Sequence, residues 1–151
     1  MAKQWGQPTW LFFHTFIEQI DDDFYSLIHI EILKIIKEIC SVLPCPYCQE
    51  HAVQYMRNIR PRNVSTREQM RELLYNFHNR VNIRLNKQIF TKNELTNYQK
   101  IDFIRVVRWF AAVMSKNYTL NRAFNEHMFR KRTIKKTIDF IRRNLSHFSR
   151  K

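Results

Sequence analysis

The chain has 151 residues, 44% of them hydrophobic and 14% aromatic, which suits one folded domain with a real core and excludes a disordered chain. Its single glycine, Gly6, leaves few positions for turns that need positive φ, so hairpin-rich β architectures are excluded and helices are favoured. The net charge of +13 is uneven: residues 1–121 hold 16 Lys+Arg against 11 Asp+Glu, whereas residues 122–151 hold 10 against Glu126 and Asp139.

The opening segment, MAKQWGQPTW, has no apolar run of signal-peptide type, so ordinary secretion is not expected. Pro8 suits the first turn of a helix, and Trp10, Phe13, His14 and Ile17 follow at i, i+3, i+4, i+7 on one face. Asp21-Asp22-Asp23 breaks this helix and can cap the next. From Phe24 to about Ser41 a second helical pattern carries Leu27, Ile28, Ile32, Ile35, Ile36 and Ile39, and Pro44 stops it. A third helix is expected from Cys45–Pro46 to about Asn58, with Pro61 beyond it. Ser65-Thr66-Arg67-Glu68 reads as a capping box that opens a helix to about Leu85. Thr91-Lys92-Asn93-Glu94 reads as another, opening a helix from about Asn93 to Ser115. The last pattern runs from about Thr119 to His147, with Phe124, Met128, Ile134, Ile138 and Ile141 expected to pack and its Lys and Arg to face outward. No apolar run approaches the roughly 20 residues of a membrane span. The fold class is all-α: a four- to five-helix bundle with an added long basic C-terminal helix.

Three cysteines cannot form a disulfide scaffold. Cys45 and Cys48 form one Cys-x-x-Cys, with His51 three residues on. A zinc clip would need two further ligands, and His51 with His14 or His78 is the available set; no second cysteine pair exists. A redox pair fits the local physics better. A helix starting at Pro46 presents free N–H groups and a partial positive charge to Cys45 and Cys48, and both favour the reactive thiolate. Thioredoxin-like proteins need a strand ahead of such a helix, and none is expected here. Cys40, alone, reads as a small buried hydrophobe rather than as half of an intersubunit disulfide.

Three segments in this order, WGQPTWLFFH, LPCPYCQEH and HNRVNIRLNKQIF, resemble the Erv/ALR family of FAD-dependent sulfhydryl oxidases over roughly residues 5–90. The block His78-Asn79-x-Val81-Asn82-x-x-Leu85-x-Lys87 is the most specific of them. The resemblance implies a helical bundle holding FAD, with Gly6, Trp10, His14, His51, His78, Asn79, Val81, Asn82, Leu85 and Lys87 as cofactor-binding residues and no metal. It implies Cys45 facing the substrate and Cys48 beside the flavin ring. Electrons then pass from a dithiol through the pair to FAD and on to O2, giving H2O2. Tyr47 and Tyr55 either flank the flavin or pack the core.

The chain departs from many members of that family. No cysteine follows Cys48, so the additional structural disulfide is missing, and Cys40 is single, so there is no shuttle pair. Both features resemble the short enzymes of large cytoplasmic DNA viruses, which implies host cytoplasm, viral assembly sites and the virion as locations. The expected partners are a dithiol protein, in particular a small redox carrier, and a second copy in a homodimer. The expected organisation is an oxidase core over 1–92, a further helix of the same domain over 93–121 and a basic helical extension over 122–151. Two other classes stay open, a zinc-bound helical interaction module and a basic helical protein binding nucleic acid through Arg130-Lys131-Arg132, Lys135-Lys136 and Arg142-Arg143. A solvated charged face is favoured over that nucleic-acid role.

Overall fold

The computed structural model describes residues 4–118 and 124–148, and they fold as helices with no strand among them. The α-helices are α1 (Gly6–Gln19), α2 (Asp22–Cys40), α3 (Pro46–Met56), α4 (Arg67–Arg84), α5 (Phe103–Met114) and α6 (Phe124–Arg143). Short 3-10 helices cover Pro61–Val64, Lys92–Lys100 and Leu145–His147. The expected all-helical bundle is what forms.

Helix α1 runs through the centre. Its aromatic residues stack on α5, with Phe12 and Phe110 ring centroids 4.4 Å apart at 6°. On another side it meets α4, where Glu18 accepts from Arg71 at 2.6 Å deep in the interface. Helix α2 packs on α3, α4 and α6, and Tyr25, fully buried, donates to the Val64 carbonyl at 2.6 Å. The 3-10 helix Leu145–His147 returns to the α1–α2 junction: Asp21 N–H donates to the His147 carbonyl at 2.9 Å, and the His147 ring stacks on Phe24.

Three expectations need correction. The capping box that opens α4 is one residue later than read: Gln69 N–H donates to Thr66 Oγ1, and Thr66 N–H to Gln69 Oε1. Glu68 pairs instead with Arg71 at 3.6 Å. The second box does not open a long helix either. Glu94 accepts from Thr91 N–H at 2.7 Å, but the segment that follows is the 3-10 helix Lys92–Lys100, and α5 starts afresh after Asp102, whose carboxylate accepts from Arg105 N–H. The Gln19 side chain takes the carbonyls of Tyr98 and Ile101, at 2.8 and 2.6 Å, which draws them away from an α-helical ladder.

The third correction concerns α6. Thr119, where its pattern was expected to start, and the 121/122 boundary lie outside the described residues. The buried face of α6 is Arg130, Thr133, Ile134, Thr137, Phe140 and Ile141. At 100° per residue Phe124 and Met128 fall far from that face, and both are exposed, Phe124 by 71%. Arg130, expected outside, is fully buried.

Candidate functional site

The ends of α1, α3 and α4 enclose a cleft of about 460 Å³, within the range of small-molecule sites. Cys48 lies in its wall with Gly6, Trp10, His78, Val81, Asn82, Leu85 and Lys87. Local sequence explains each contribution. Pro46 occupies the first turn of α3, so the two thiols sit at a helix N-terminus, and Cys48 N–H donates to Cys45 Sγ at 3.3 Å. Cys48 is buried, whereas Cys45 is partly exposed and not part of the cleft wall.

On α4, His78, Val81 and Asn82, followed by the C-cap Leu85, recur at helical spacing and face the cleft together. The helix ends in a Schellman turn. Lys87 N–H donates to the Asn82 carbonyl at 2.7 Å and Asn86 N–H to the Ile83 carbonyl at 3.1 Å. Asn86 takes φ of 57°, the left-handed conformation that asparagine tolerates and that this turn needs. The turn reverses the chain and brings Lys87 back to the cleft.

The remaining predicted residues stand behind or beside this wall. His14 is 2% exposed, and its Nε2 lies 2.9 Å from Nδ1 of His78. Burial, with His78 adding to it, pushes the His14 pKa down to about 3. Burial, with Lys87 adding to it, pushes that of His78 down to about 4. Both rings are therefore neutral at pH 7, and one donates to the other, so each fixes the other's tautomer. Trp10 stacks on His78 with centroids 4.1 Å apart at 6°. Asn79 does not reach the cleft wall. Its Nδ2 donates to the Phe90 carbonyl at 3.0 Å and its Oδ1 accepts from the N–H of Phe90 and from Asn82, which pins residues 86–90 to α4. His51 lies on α3 against Tyr47, its Nδ1 2.9 Å from the Tyr47 carbonyl, also outside the cleft wall. Tyr55 packs, stacking on Phe77 at 4.6 Å, while Tyr47 is exposed.

Sequence reasoning gave no cofactor role to Trp5, which opens the first motif, and missed Phe77, Tyr98 and Arg84 in this wall. Arg84 is the informative one. Its guanidinium lies over the Tyr47 ring at 5.6 Å, and its Nε is buried with no partner among the described residues. The signal was present, because Arg84 follows Phe77 and Val81 along one helical face at i+7 and i+3. Cys40 also lines the cleft floor, and burial pushes its thiol up to about 12, so it stays protonated. Flat aromatic walls, the amide of Asn82 and two cations, Arg84 and Lys87, suit a flat heteroaromatic ligand that carries phosphates. FAD belongs to that class. Among the described residues no helix is long and apolar enough to cross a membrane, and no group of three or more His, Cys, Asp or Glu could hold a metal.

A model of the Erv1/Alr family matches residues 7–102, which contain every cleft residue named above except Trp5 and Gly6. Over 105 residues the chain is 27% identical to the FAD-linked sulfhydryl oxidase of an African swine fever virus isolate, covering 70% of this chain and 87% of that one. Over 99 residues it is 35% identical to protein 096R of Invertebrate iridescent virus 3, provisionally named for the same activity, covering 64% of this chain and 67% of that one. No solved structure matches the chain. With a match over more than half its length and the three motifs folded into one cleft, this chain belongs to the Erv1/Alr family.

Proposed function

We propose that Cys45 and Cys48 are the redox pair of an FAD-linked sulfhydryl oxidase, with Cys45 meeting the substrate and Cys48 meeting the cofactor. Family membership and the names of the viral relatives support the activity: FAD-dependent oxidation of thiols, with a dithiol as reductant and oxygen as final acceptor. The observation that carries the division of labour is the burial of Cys48 in the cleft wall while Cys45 lies outside it, partly exposed.

In the oxidised pair, one thiolate of the substrate attacks Cys45 Sγ, and the Cys45–Cys48 bond breaks with Cys48 leaving as thiolate. The second substrate thiolate attacks the substrate sulfur of the mixed disulfide. Cys45 then leaves as thiolate, and the substrate departs as a disulfide. Two electrons have moved to the pair, and the substrate's two protons to solvent or to the new thiolates. FAD, when bound, supplies the two-electron acceptor that returns the pair to the disulfide and passes the electrons to oxygen as hydrogen peroxide. Trp10, His78, Val81, Asn82, Leu85 and Lys87 hold it, with Gly6 allowing close backbone approach and Arg84 adding a second cation. His14 acts through His78, orienting that ring and fixing its tautomer. Asn79 and His51 support the wall from behind and beside it.

The same reading includes a small redox carrier as substrate, since Cys40 is the one cysteine of this sequence outside the pair and cannot form a second pair that reaches a bulky client. It also includes a homodimer, host-cytoplasmic and virion locations, an oxidase core over 1–92 with a further helix over 93–121, and a basic helical extension over 122–151. The test is spectroscopic. Purified protein should carry about one FAD per chain. Cys45→Ser should retain it and show a broad long-wavelength charge-transfer band from the Cys48 thiolate, and Cys48→Ser should show none. A band in Cys48→Ser alone would reverse the assignment. A folded, colourless protein that FAD cannot reconstitute would remove the oxidase reading.

A further inference from the structure

We propose that Arg130 of α6 is a positioning residue for the redox pair, clamping the loop that carries Cys45 from an element outside the family-matched region. The proposal rests on the assignment of Cys45 and Cys48 as that pair. Between the end of α2 and the start of α3, the chain has only Ser41-Val42-Leu43-Pro44 ahead of Cys45. Each turn of this loop is held by a named bond. Val42 N–H donates to the Ile39 carbonyl at 3.1 Å. Gln49 of α3 donates to the Leu43 carbonyl at 3.3 Å. The Val42 carbonyl accepts from Arg130 Nη1 at 3.3 Å, across 88 residues of chain.

That last bond is costly to build. Arg130 is 0% exposed, and its Nε and Nη2 have no hydrogen-bond partner among the described residues, so its lost hydration is only partly offset. Glu126 stands 3.9 Å from Nη1, one helical turn back, and the Tyr118 ring lies 5.9 Å from the guanidinium carbon. Tyr118 is itself oriented by donating to the Val113 carbonyl at 2.9 Å. A hydrophobic residue in this place would fill the same volume without the desolvation cost. What the arginine adds is a directed donor on a carbonyl three residues before Cys45. Leu43, the neighbour of Val42, is a wall of the cleft. A loosened loop therefore moves the substrate-facing sulfur and the cleft wall together. It also slackens the contact of Cys48 N–H with Cys45 Sγ, which favours the thiolate.

The matched family region ends at residue 102, so the clamp belongs to the part of the chain beyond it. The test is Arg130→Met in the full-length chain, read well below its melting temperature. Alkylation of Cys45 in the reduced protein by iodoacetamide should slow about three-fold at pH 7, as thiolate stabilisation is lost. Amide exchange in Leu43–Cys48 should quicken while α1 and α4 stay protected. Turnover of dithiothreitol should fall on the order of ten-fold, in kcat rather than KM, as small displacements of reacting atoms do. Arg130→Lys, which keeps a donor, should recover part of each. If Arg130→Met does not fold, Glu126→Gln carries the test, because it removes the guanidinium's counter-charge and weakens its hold on the loop without opening the core. It should slow alkylation in the same direction, by about two-fold. Wild-type alkylation, exchange and kcat in a folded Arg130→Met, or in Glu126→Gln should the first not fold, would overturn the clamp. A wild-type protein with no flavin and no dithiol oxidation would instead overturn the redox reading.

Discussion

Acidification should unfold this protein through one pair of rings. His14 and His78 lie 2.9 Å apart and are neutral in the folded state, with pKa values of about 3 and about 4. In the unfolded chain both return to about 6.5. The folded values are depressed, so the unfolded state binds more protons, and stability must fall as pH drops below about 6.5. Above that pH the contribution is fully present. At pH 5 an unfolded imidazole is almost wholly protonated and a folded one is not, a cost of about 2 kcal/mol per ring, or about 4 kcal/mol for the pair. The limiting slope is about 2.7 kcal/mol per pH unit for two protons. Against a typical 5–15 kcal/mol this is a large fraction. Urea denaturation at pH 7.5, 6.5, 5.5 and 5.0, followed by far-UV circular dichroism, measures it. His14→Asn, whose amide can still bond His78, should remove one titrating ring and about halve the slope between pH 6 and 5. An unchanged slope in that variant, or imidazole resonances of His14 and His78 titrating near pH 6.5 in the native protein, would refute the reasoning.

Other expected outcomes are more local. Arg71→Ala leaves the Glu18 carboxylate, whose side chain is 1% exposed, in the α1–α4 interface without its ion-pair partner, and should cost about 3–5 kcal/mol by chemical denaturation. Phe12→Ala removes a fully buried ring stacked on Phe110 and should cost about 3–5 kcal/mol, with a corresponding drop in Tm. Asn86→Gly should keep the left-handed turn and the affinity for FAD, while Asn86→Val, forced into that conformation, should lose about 1–3 kcal/mol and weaken FAD retention on gel filtration. Equal retention by the two variants would show that the Schellman turn does not position Lys87.

The helices and the three motif segments were legible in the sequence because the information is local. Proline at the start of α3, apolar spacing in α1 and α2, and the run from His78 to Lys87 each set a helix and a face without reference to the rest of the chain. Cys48, Trp10, His78, Asn82 and Lys87 were named through the resemblance of those three segments to the Erv/ALR family, before their meeting in one cleft was visible. What tertiary structure decided lies wherever two local solutions were equally good or a distant group competed. Ser65-x-x-Glu68 and Thr66-x-x-Gln69 both satisfy a capping pattern, and the second forms while Arg71 engages Glu68. The segment from Lys92 to Lys100 carries a helix-opening signal, yet Gln19, about 80 residues away, takes two of the carbonyls that an α-helix would need. In α6 the apolar spacing is loose enough to support two faces. The bundle selects the one with Ile134 and Ile141 and leaves Phe124 outside. Arg130 shows the limit most clearly, because composition puts an arginine in water, whereas the fold buries it against the carbonyl of Val42, Glu126 and the ring of Tyr118.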